Sequence, residues 1–291
     1  VTFTYDAAGR LTALNDGTGT STWTPDAWNR TTATTQPLVS RSLTFAFNDR
    51  GQRASVNLTG ANQSARTITY QYDSLSRLQT LADSITGGSF IYSYEPGTRW
   101  VSRVETPSGS ATEHTRDDHG RILSTTFRGA TNQELNRFAY TYDAAGQRET
   151  ETGPRGAVEF AYNGIGELTG AEGLSGGNYT YQYDGIGNRL VSQIPGVLTA
   201  YTPNALNQYT SITQNAQTPA VPVHDLNGNL VSDGAGTTFT YDDENRLVGI
   251  QSSISNKQSV FTYDGLSRRV ETREFENNTL TKTIRYIYDG L

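Results

Sequence analysis

The sequence contains no cysteine and no methionine, and lysine occurs only at positions 257 and 282. Without cysteine the chain has no disulfide bond, no thiolate nucleophile and no cysteine-based metal site, which excludes small disulfide-stapled folds. The lack of methionine, including an initiator, leads us to expect an excised fragment or a processed product rather than a whole translated chain. There is also no apolar run of about 18 residues and no basic-then-apolar N-terminus, so neither a membrane span nor a signal peptide is predicted.

Positive charge is also scarce. The formal net charge is −6, and the arginines form no basic cluster. Nucleic-acid binding requires several Lys or Arg side chains facing phosphates, so no nucleic-acid partner is predicted. Hydrophobic residues make up 34% of the chain, below the usual range of about 45–50% that also counts glycine. This deficit favours a thin sheet over a thick hydrophobic core.

What the sequence does contain is a repeated pattern, seen clearly in the segment TTFTYDDENRL at 237–247. Phe239 and Tyr241 are two positions apart, which places them on the same face of a strand but far apart around a helix. Asp242 and a short polar segment follow, and Arg246 then begins another extended run. The pattern therefore predicts a strand, a turn and a second strand.

We call the acidic or Asn residue of each recurrence its anchor. Fourteen anchors occur at a mean spacing of about 22 residues, as expected for a repeat architecture whose units need stacked neighbours. We therefore predict one continuous array over 1–291, with twenty or more short antiparallel strands and no helix longer than two turns. Pro25, which lacks an N–H, is expected to interrupt a strand. The anchors are Asp6, Asp26, Asn48, Asp73, Glu95, Asp117, Asp143, Asn163, Asp184, Asn204, Asp225, Asp242, Asp264 and Asp289.

The segments YDAAGRL at 5–11 and YDGIGNRL at 183–190 resemble the YD repeat of the Rhs family, and the resemblance extends over essentially the whole chain. It implies an all-β fold, a YD-repeat spiral β-sheet that forms an open or partial hollow shell. Members of the family include bacterial polymorphic toxins, the BC part of insecticidal toxin complexes, and teneurins. Its toxins carry, beyond the repeats, a self-cleaving aspartyl core and a toxic domain. No D-P-x-G-L-type motif occurs here, so we expect neither of these parts.

The repeated spacing of anchor and arginine predicts a structural role. Asp and Asn side chains accept hydrogen bonds from backbone N–H groups two residues on, and Gly supplies positive φ. An Arg four residues later can bind the same carboxylate. One exposed pair contributes little, but the recurrence favours turn clamps. These are Asp6–Arg10, Asp26–Arg30, Asp73–Arg77, Glu95–Arg99, Asp117–Arg121, Asp242–Arg246 and Asp264–Arg268.

The recurring aromatics have two interpretations. They could form a platform for sugar rings, or cross-strand ladders that hold the sheet together. Their presence in nearly every repeat favours the ladder. Trp23, Trp28 and Trp100 lie outside the ladder pattern and are the better sugar-contact candidates, although packing remains the favoured role for them too. The predicted ladder comprises Tyr5, Tyr72, Tyr142, Tyr183, Tyr241, Tyr263 and Tyr288.

No catalytic, cofactor or metal site is predicted. Ser175 lies in a G-x-S-x-G match, but a strand rather than a helix is expected to follow it, unlike a nucleophile elbow. His114 and His119 flank Asp117 at a spacing that matches no ligand pattern, and we interpret them as solvated turn residues. The segment from Asp225 resembles the start of an EF-hand loop but lacks its later Gly and Glu. We therefore expect no enzymatic activity.

Two functions remain open. The chain could be a structural shell segment that encloses and protects a C-terminal toxic domain, or an extracellular surface or fibre module for adhesion or carbohydrate binding. Expected partners are the remainder of its own polypeptide and, for the second function, glycans or a cell surface. We expect a bacterial protein, secreted or at the cell surface. The glycosylation sequons at Asn29, Asn57, Asn62, Asn178 and Asn277 are therefore expected to carry no sugar.

Overall fold

A computed structural model describes residues 1–39, 41–60, 64–173 and 177–289. These residues form 27 β-strands and no helix, and every strand pairing of known register is antiparallel. The predicted all-β fold is confirmed. Since the described part of the chain has no helix, it has none long and apolar enough to cross a membrane. Ser175 and Asn62 lie outside the described residues.

The strands are short and follow one another through tight turns. The first nine strands are β1 (Thr2–Tyr5), β2 (Leu11–Asp16), β3 (Gly19–Pro25), β4 (Thr31–Gln36), β5 (Arg41–Phe47), β6 (Arg53–Gly60), β7 (Arg66–Tyr72), β8 (Leu78–Asp83) and β9 (Gly88–Tyr94). The next nine are β10 (Val101–Glu105), β11 (Ala111–Arg116), β12 (Ile122–Arg128), β13 (Glu134–Tyr142), β14 (Arg148–Gly153), β15 (Gly156–Tyr162), β16 (Leu168–Glu172), β17 (Tyr179–Tyr183) and β18 (Arg189–Ile194). The last nine are β19 (Val197–Pro203), β20 (Tyr209–Gln214), β21 (Val223–His224), β22 (Leu230–Ser232), β23 (Thr237–Tyr241), β24 (Leu247–Ser252), β25 (Lys257–Tyr263), β26 (Arg269–Glu276) and β27 (Thr279–Arg285).

Two compact units can be distinguished. The first contains Val1–Ser89 together with the described part of Gly236–Leu291, and the second contains Phe90–Ala235. Both are built from hairpins in which a strand pairs with the next one along the chain. One continuous array over 1–291 remains a prediction.

Each repeat hairpin has the same irregularity just before its anchor. In the hairpin of β23 and β24, the register shifts between Thr240 and Tyr241, and Tyr241 pairs with Leu247. The same shift occurs between Thr24 and Pro25, and Pro25 pairs with Thr31. The predicted interruption at Pro25 is therefore wrong. Pro25 is the last residue of β3, at a bulge, where the missing N–H leaves the regular hydrogen bonding of the strand intact.

The main core of the first unit lies between its N-terminal and C-terminal segments. Leu43, Phe45 and Val56 form a buried cluster, and Ile287 from the end of the chain packs against it. Leu14 is completely buried, and a Cβ on Gly265 would lie 3.1 Å from Leu14 Cδ1. The two ends of the described chain therefore share one core.

The second unit buries much smaller apolar groups. Its buried apolar residues, within the described ranges, are Ala111, Val158 and Ala171. Ser124 and Ser192 of the same unit are also buried. So little apolar burial leaves much of the cohesion between repeats to hydrogen bonds and ion pairs, which are described next.

Candidate functional site

The anchor turn is the recurring polar feature of this chain, and Asp73 illustrates it. The Asp73 N–H donates to the Arg77 carbonyl at 2.9 Å, and the Ser76 N–H donates to the Asp73 carbonyl at 3.0 Å. Asp73 Oδ1 accepts hydrogen bonds from the N–H groups of Leu75 and Arg77, both at 2.9 Å. Ser76 has φ of 64°, in the region that normally favours glycine. One side-chain oxygen thus organises the whole turn.

The second carboxylate oxygen binds the arginine four residues later. Six predicted pairs are in contact, with Arg Nε donating to Asp Oδ2 at distances from 2.6 to 2.9 Å. They are Asp6–Arg10, Asp26–Arg30, Asp73–Arg77, Asp117–Arg121, Asp242–Arg246 and Asp264–Arg268. Both carboxylate oxygens of such an anchor are therefore used, one by the backbone and one by the guanidinium.

These bonds change the acidity of the anchors. Hydrogen bonds from the Arg77 backbone and side chain lower the pKa of Asp73, and those from Arg10 do the same for Asp6. For Asp26, Asp117 and Asp242, partial burial opposes the change, but hydrogen bonds and the arginine charge still lower the pKa. A carboxylate that accepts several hydrogen bonds is stabilised in its ionised form.

The predicted pair Glu95–Arg99 is not formed, which corrects the interpretation of the sequence. Glu95 instead accepts a hydrogen bond from Arg116 at 3.2 Å. The reason is the length of the turn, because the Glu95 N–H donates to the Trp100 carbonyl, five residues on rather than four. Arg99 consequently lies two residues before β10 begins, whereas the arginine of a regular turn directly precedes its strand.

The sequence interpretation also missed anchors that use an uncharged or acidic partner. Asp184 Oδ2 accepts a hydrogen bond from the Asn188 side-chain amide at 2.8 Å, at the spacing of the Asp–Arg pairs. Gln, Glu or Asn side chains four residues after an anchor also bond to the anchor side chain at other turns, where an Asn anchor donates its side-chain N–H and Asp225 accepts. These pairs are Asn48–Gln52, Asn163–Glu167, Asn204–Gln208 and Asp225–Asn229. The spacing alone, without the requirement for opposite charge, would have identified them.

At six anchors, the preceding tyrosine connects one repeat to the preceding one. The Tyr263 hydroxyl donates to the Leu247 carbonyl at 2.9 Å, and Leu247 is the fifth residue after the preceding anchor, Asp242. The same bond to the same position of the preceding repeat occurs elsewhere in both units. It is made by Tyr72 to Arg53, Tyr142 to Ile122, Tyr162 to Arg148, Tyr183 to Leu168, and Tyr288 to Arg269.

The arginine of a turn clamp contacts the following repeat. The Arg246 guanidinium lies 5.0 Å from the centre of the Tyr263 ring, and the Arg121 guanidinium lies 4.8 Å from that of Tyr142. Arg10 Nη1 donates to the carbonyl of the next anchor, Asp26, at 2.6 Å. Two neighbouring repeats are thus joined by two contacts. The tyrosine hydroxyl of the later repeat bonds to a carbonyl of the earlier one, and the arginine of the earlier repeat contacts the later one.

The predicted aromatic ladder takes a different form from direct ring stacking. The ladder residues Tyr142, Tyr263 and Tyr288 contact arginines, whereas ring-to-ring contacts occur at Phe127–Phe138 and Tyr201–Tyr209. Tyr241 lies in β23 and is half-buried. Tyr5, in the first repeat, is 57% exposed.

The three tryptophans lie in different environments. Trp23 is only 3% exposed and lies under the Arg268 guanidinium, so its ring cannot stack on a sugar. Trp100 lies over Gly120, where an added Cβ would be only 2.6 Å from the indole. Trp28 is 77% exposed at the tip of an anchor turn. Of the three sugar-contact candidates, the structure makes Trp28 the most accessible.

The histidines and the EF-hand-like segment belong to the repeat framework. His114 lies half-buried in β11, with Nδ1 3.1 Å from Thr125 Oγ1, so it is not the solvated turn residue that we predicted. Its burial, together with the nearby Arg116 charge, lowers the pKa of His114. Asp225 Oδ1 accepts the N–H groups of Asn227 and Asn229, as in other anchor turns. Within the described ranges, no group of three or more acidic or histidine side chains could hold a metal ion.

Comparison with known proteins agrees with this geometry. Residues 5–38 match the family model described as RHS Repeat. The chain also superimposes on a structure of the Photorhabdus luminescens Tc holotoxin pore with a TM-score of 0.66, at 17% identity, over 97% of this chain and 18% of that one. Residues 5–38 therefore carry an Rhs repeat, and the chain as a whole shares the fold of that toxin structure. The resemblance to YD repeats inferred from the sequence is confirmed.

Two further solved structures share the fold of this chain. The TcdB2-TccC3 structure matches with a TM-score of 0.66 and 17% identity, over 95% of this chain and 18% of that one. The TcdB2-TccC3-Cdc42 structure matches with a TM-score of 0.60 and 17% identity, over 99% and 17%. The present chain thus spans less than a fifth of the length of the chains it matches. No curated protein sequence matches it.

Proposed function

We propose that this chain is a structural segment of an Rhs-repeat shell, which encloses and protects a toxic domain of the same polypeptide. The observation that carries the proposal is the recurring hydrogen bond from the tyrosine of one repeat to a carbonyl of the preceding one. Such bonds join many repeats in the same way and converge on no single point. That distribution suits a wall, whereas a catalytic site requires a few groups gathered in one place.

The second unit supports the same role through its thin core. Its buried apolar side chains, in the part the structure describes, are only two alanines and a valine. A sheet with so little apolar burial depends on bonds between neighbouring repeats, and in repeat proteins those neighbour terms contribute much of the stability. We therefore propose a structural rather than an enzymatic role for these repeats.

The proposed partner is the remainder of the same polypeptide, and the proposed location is the exterior or the surface of a bacterial cell. The similarity in fold to a Photorhabdus luminescens toxin structure supports a bacterial origin. A glycan on Asn29, Asn57, Asn178 or Asn277 would indicate secretion from an animal cell instead. The intact mass of the protein isolated from its natural source tests this point, and an added glycan mass would contradict it.

Protease protection tests enclosure directly. In the polypeptide that contains this chain, the domain following the repeats should resist trypsin while the same domain in isolation is digested. Combined Tyr142→Phe, Tyr183→Phe and Tyr263→Phe substitutions should speed its digestion, whereas Tyr5→Phe should not. Equal digestion rates with and without the repeats would refute enclosure. A further run of repeats or a surface anchor in place of a separate domain would favour the adhesion or fibre module.

A further inference from the structure

Asn163 is the anchor of the turn between β15 and β16, and a glycine, Gly164, follows it. An Asn–Gly pair can modify itself, because the backbone nitrogen after the asparagine can attack the side-chain carbonyl carbon and close a succinimide ring. Glycine favours this attack since it has no Cβ to hinder the approach. The sequence contains a second such pair, Asn227–Gly228, in another anchor turn. The two pairs make different contacts in the structure.

Both polar atoms of the Asn163 side chain are bonded. Oδ1 accepts hydrogen bonds from the N–H groups of Ile165 at 3.1 Å and Glu167 at 3.0 Å. Nδ2 donates to Glu167 Oε2 at 2.6 Å. Two N–H donors on one carbonyl oxygen stabilise the negative charge that develops there during an attack on the carbon, as in an oxyanion hole. A carboxylate meanwhile contacts the nitrogen that has to leave.

The attacking nitrogen is available in the first pair and bonded in the second. The Gly164 N–H has no hydrogen-bond partner in the described part of the chain. Gly164 is also exposed, and nothing lies within 4 Å of a Cβ added to it. The Gly228 N–H, in contrast, donates to the Asp225 carbonyl at 3.1 Å. The turn therefore favours attack at Asn163 and opposes it at Asn227.

The other two Asn anchors, Asn48 and Asn204, show what distinguishes Asn163. Their Oδ1 atoms accept the equivalent pairs of backbone N–H groups. Their Nδ2 atoms donate to an uncharged glutamine four residues on, at 3.1 and 3.0 Å, and no glycine follows either anchor. Among the three Asn anchors, only Asn163 combines a following glycine with a carboxylate on the leaving nitrogen. The residues that replace these two features are Asp49 and Gln52, and Ala205 and Gln208.

We propose that Asn163 is a self-modification site, which the folded turn converts to aspartate or isoaspartate. The Gly164 nitrogen forms a bond to Asn163 Cγ, and the resulting oxyanion accepts the N–H groups of Ile165 and Glu167. Both nitrogens of this intermediate are bonded to the same carbon. The Glu167 carboxylate, which already contacts one of them, carries the proton of the Gly164 nitrogen to Asn163 Nδ2. The bond from Cγ to Nδ2 then breaks, and ammonia leaves a succinimide.

Water completes the conversion, and no oxidant or other co-reactant is required. It adds to one of the two succinimide carbonyls, and the ring opens. One opening gives aspartate at position 163, and the other gives isoaspartate, whose backbone passes through Cγ. Either product loses the amide that donates to Glu167 and brings a second carboxylate close to the first, which is unfavourable for like charges. The conversion therefore weakens the turn in which it occurs.

The test incubates the purified whole chain at neutral pH and follows each asparagine by peptide mapping and mass spectrometry. We expect Asn163 to convert faster in the folded chain than in the chain unfolded in guanidinium chloride, whereas Asn227 converts more slowly when folded. Glu167→Gln should slow conversion of Asn163 at least about tenfold, within the total of roughly 10²–10⁴-fold typical of general acid–base catalysis. This variant should keep the turn, because Gln208 makes the equivalent bond to Asn204.

Transfer of the two features to another turn provides a second test. Combined Ala205→Gly and Gln208→Glu substitutions should make Asn204 convert at a rate similar to that of Asn163, and faster than Ala205→Gly alone. The proposal is overturned if Asn163 converts more slowly in the folded chain than in the unfolded chain, or if Glu167→Gln leaves its rate unchanged. It is also overturned if the double substitution leaves Asn204 as slow as the single one. None of these outcomes bears on enclosure, which protease protection tests separately.

Discussion

The Asp16 carboxylate accepts a hydrogen bond from the Gly265 backbone N–H at 2.7 Å, across 249 positions of sequence. The other Asp16 oxygen accepts bonds from the N–H and hydroxyl of Thr18, at 2.7 and 2.6 Å. Burial alone would raise the pKa of Asp16, but these hydrogen bonds outweigh it and lower the pKa below its ordinary value. An anchor turn near the end of the chain thus docks on a hairpin near its start.

This close approach makes Gly265 sensitive to substitution. A Cβ at this position would lie 2.8 Å from Val1 Cγ1 and 3.1 Å from Leu14 Cδ1. Gly265→Ala should therefore push the two segments apart and destabilise the chain by about 1–3 kcal/mol, the usual cost of overpacking. Chemical denaturation of the purified chain measures the effect.

Gly185 is the matched control, because it also follows an Asp anchor and has nothing within 4 Å of an added Cβ. Gly185→Ala should be neutral or stabilise by up to about 1 kcal/mol through the unfolded state. Equal destabilisation by the two substitutions would contradict the docked arrangement.

Leu14→Ala tests the core of the first unit. Leu14 is 0% exposed, and truncating a fully buried leucine costs about 2–5 kcal/mol through lost burial and the cavity left behind. Leu75→Ala, at a residue that is 59% exposed, should change the free energy of unfolding by less than about 0.5 kcal/mol. Comparable unfolding curves for the two variants would show that the shared core is absent in solution.

The phenol bond between repeats predicts different effects for two tyrosines. Tyr263→Phe removes the donor to the Leu247 carbonyl and should cost about 1 kcal/mol, the usual net value of such a bond. Tyr5 is in the first repeat and its hydroxyl has no partner in the described residues, so Tyr5→Phe should be nearly neutral. Urea denaturation of both variants provides the comparison. If Tyr263→Phe is as stable as Tyr5→Phe, the bond contributes nothing to cohesion.

The same spacing predicted an ion pair for Arg77 and for Arg99, but removing the two side chains should have different effects on the stability of the chain. Arg77 binds Asp73 at 2.7 Å, so Arg77→Ala should destabilise the chain by about 1 kcal/mol. Arg99 does not contact Glu95, and Arg99→Ala should have an effect below about 0.5 kcal/mol. Arg116→Ala should resemble Arg77→Ala, because Arg116 binds both Glu95 and the Val101 carbonyl. A larger loss for Arg99→Ala than for Arg116→Ala, measured by thermal unfolding, would restore the original pairing.

Low pH should reduce the free energy of unfolding of the chain. The pKa of Asp6, Asp26, Asp73, Asp117 and Asp242 is lower in the folded chain than its ordinary value. Each therefore stabilises the folded state fully above about pH 3.9, its unfolded pKa, and less as the pH falls through the lower folded value. The urea midpoint should be level near neutral pH and decrease below about pH 4.

Anchors that are Asn in the sequence, such as Asn48 and Asn204, supply a control for the acid effect because they do not titrate. A variant in which Asp73 and Asp117 are both changed to Asn should lose less stability between neutral pH and about pH 3 than the unaltered chain. An identical loss in both proteins would exclude the anchor carboxylates as its source.

Much of this architecture could be predicted from local pattern. Alternation with period two indicated strands, and the spacing of about 22 residues indicated repeats, because both depend on neighbours in sequence. The Asp73–Arg77 contact is also local, since one turn brings the two residues together. The Glu95 turn departed from this pattern because it has one more residue, and Arg116 from another strand provides the guanidinium.

The sequence by itself determined the strands, the turns and the polar pairs within each turn, because those interactions join residues a few positions apart. Only the tertiary structure decided which of the residues at one repeat position pack against another segment of the chain. Gly185 and Gly265 both follow an Asp anchor and precede a large aliphatic residue, yet a Cβ on Gly185 meets open space and one on Gly265 meets Val1 and Leu14. The difference comes from contacts between distant segments, about which the local sequence carries no information.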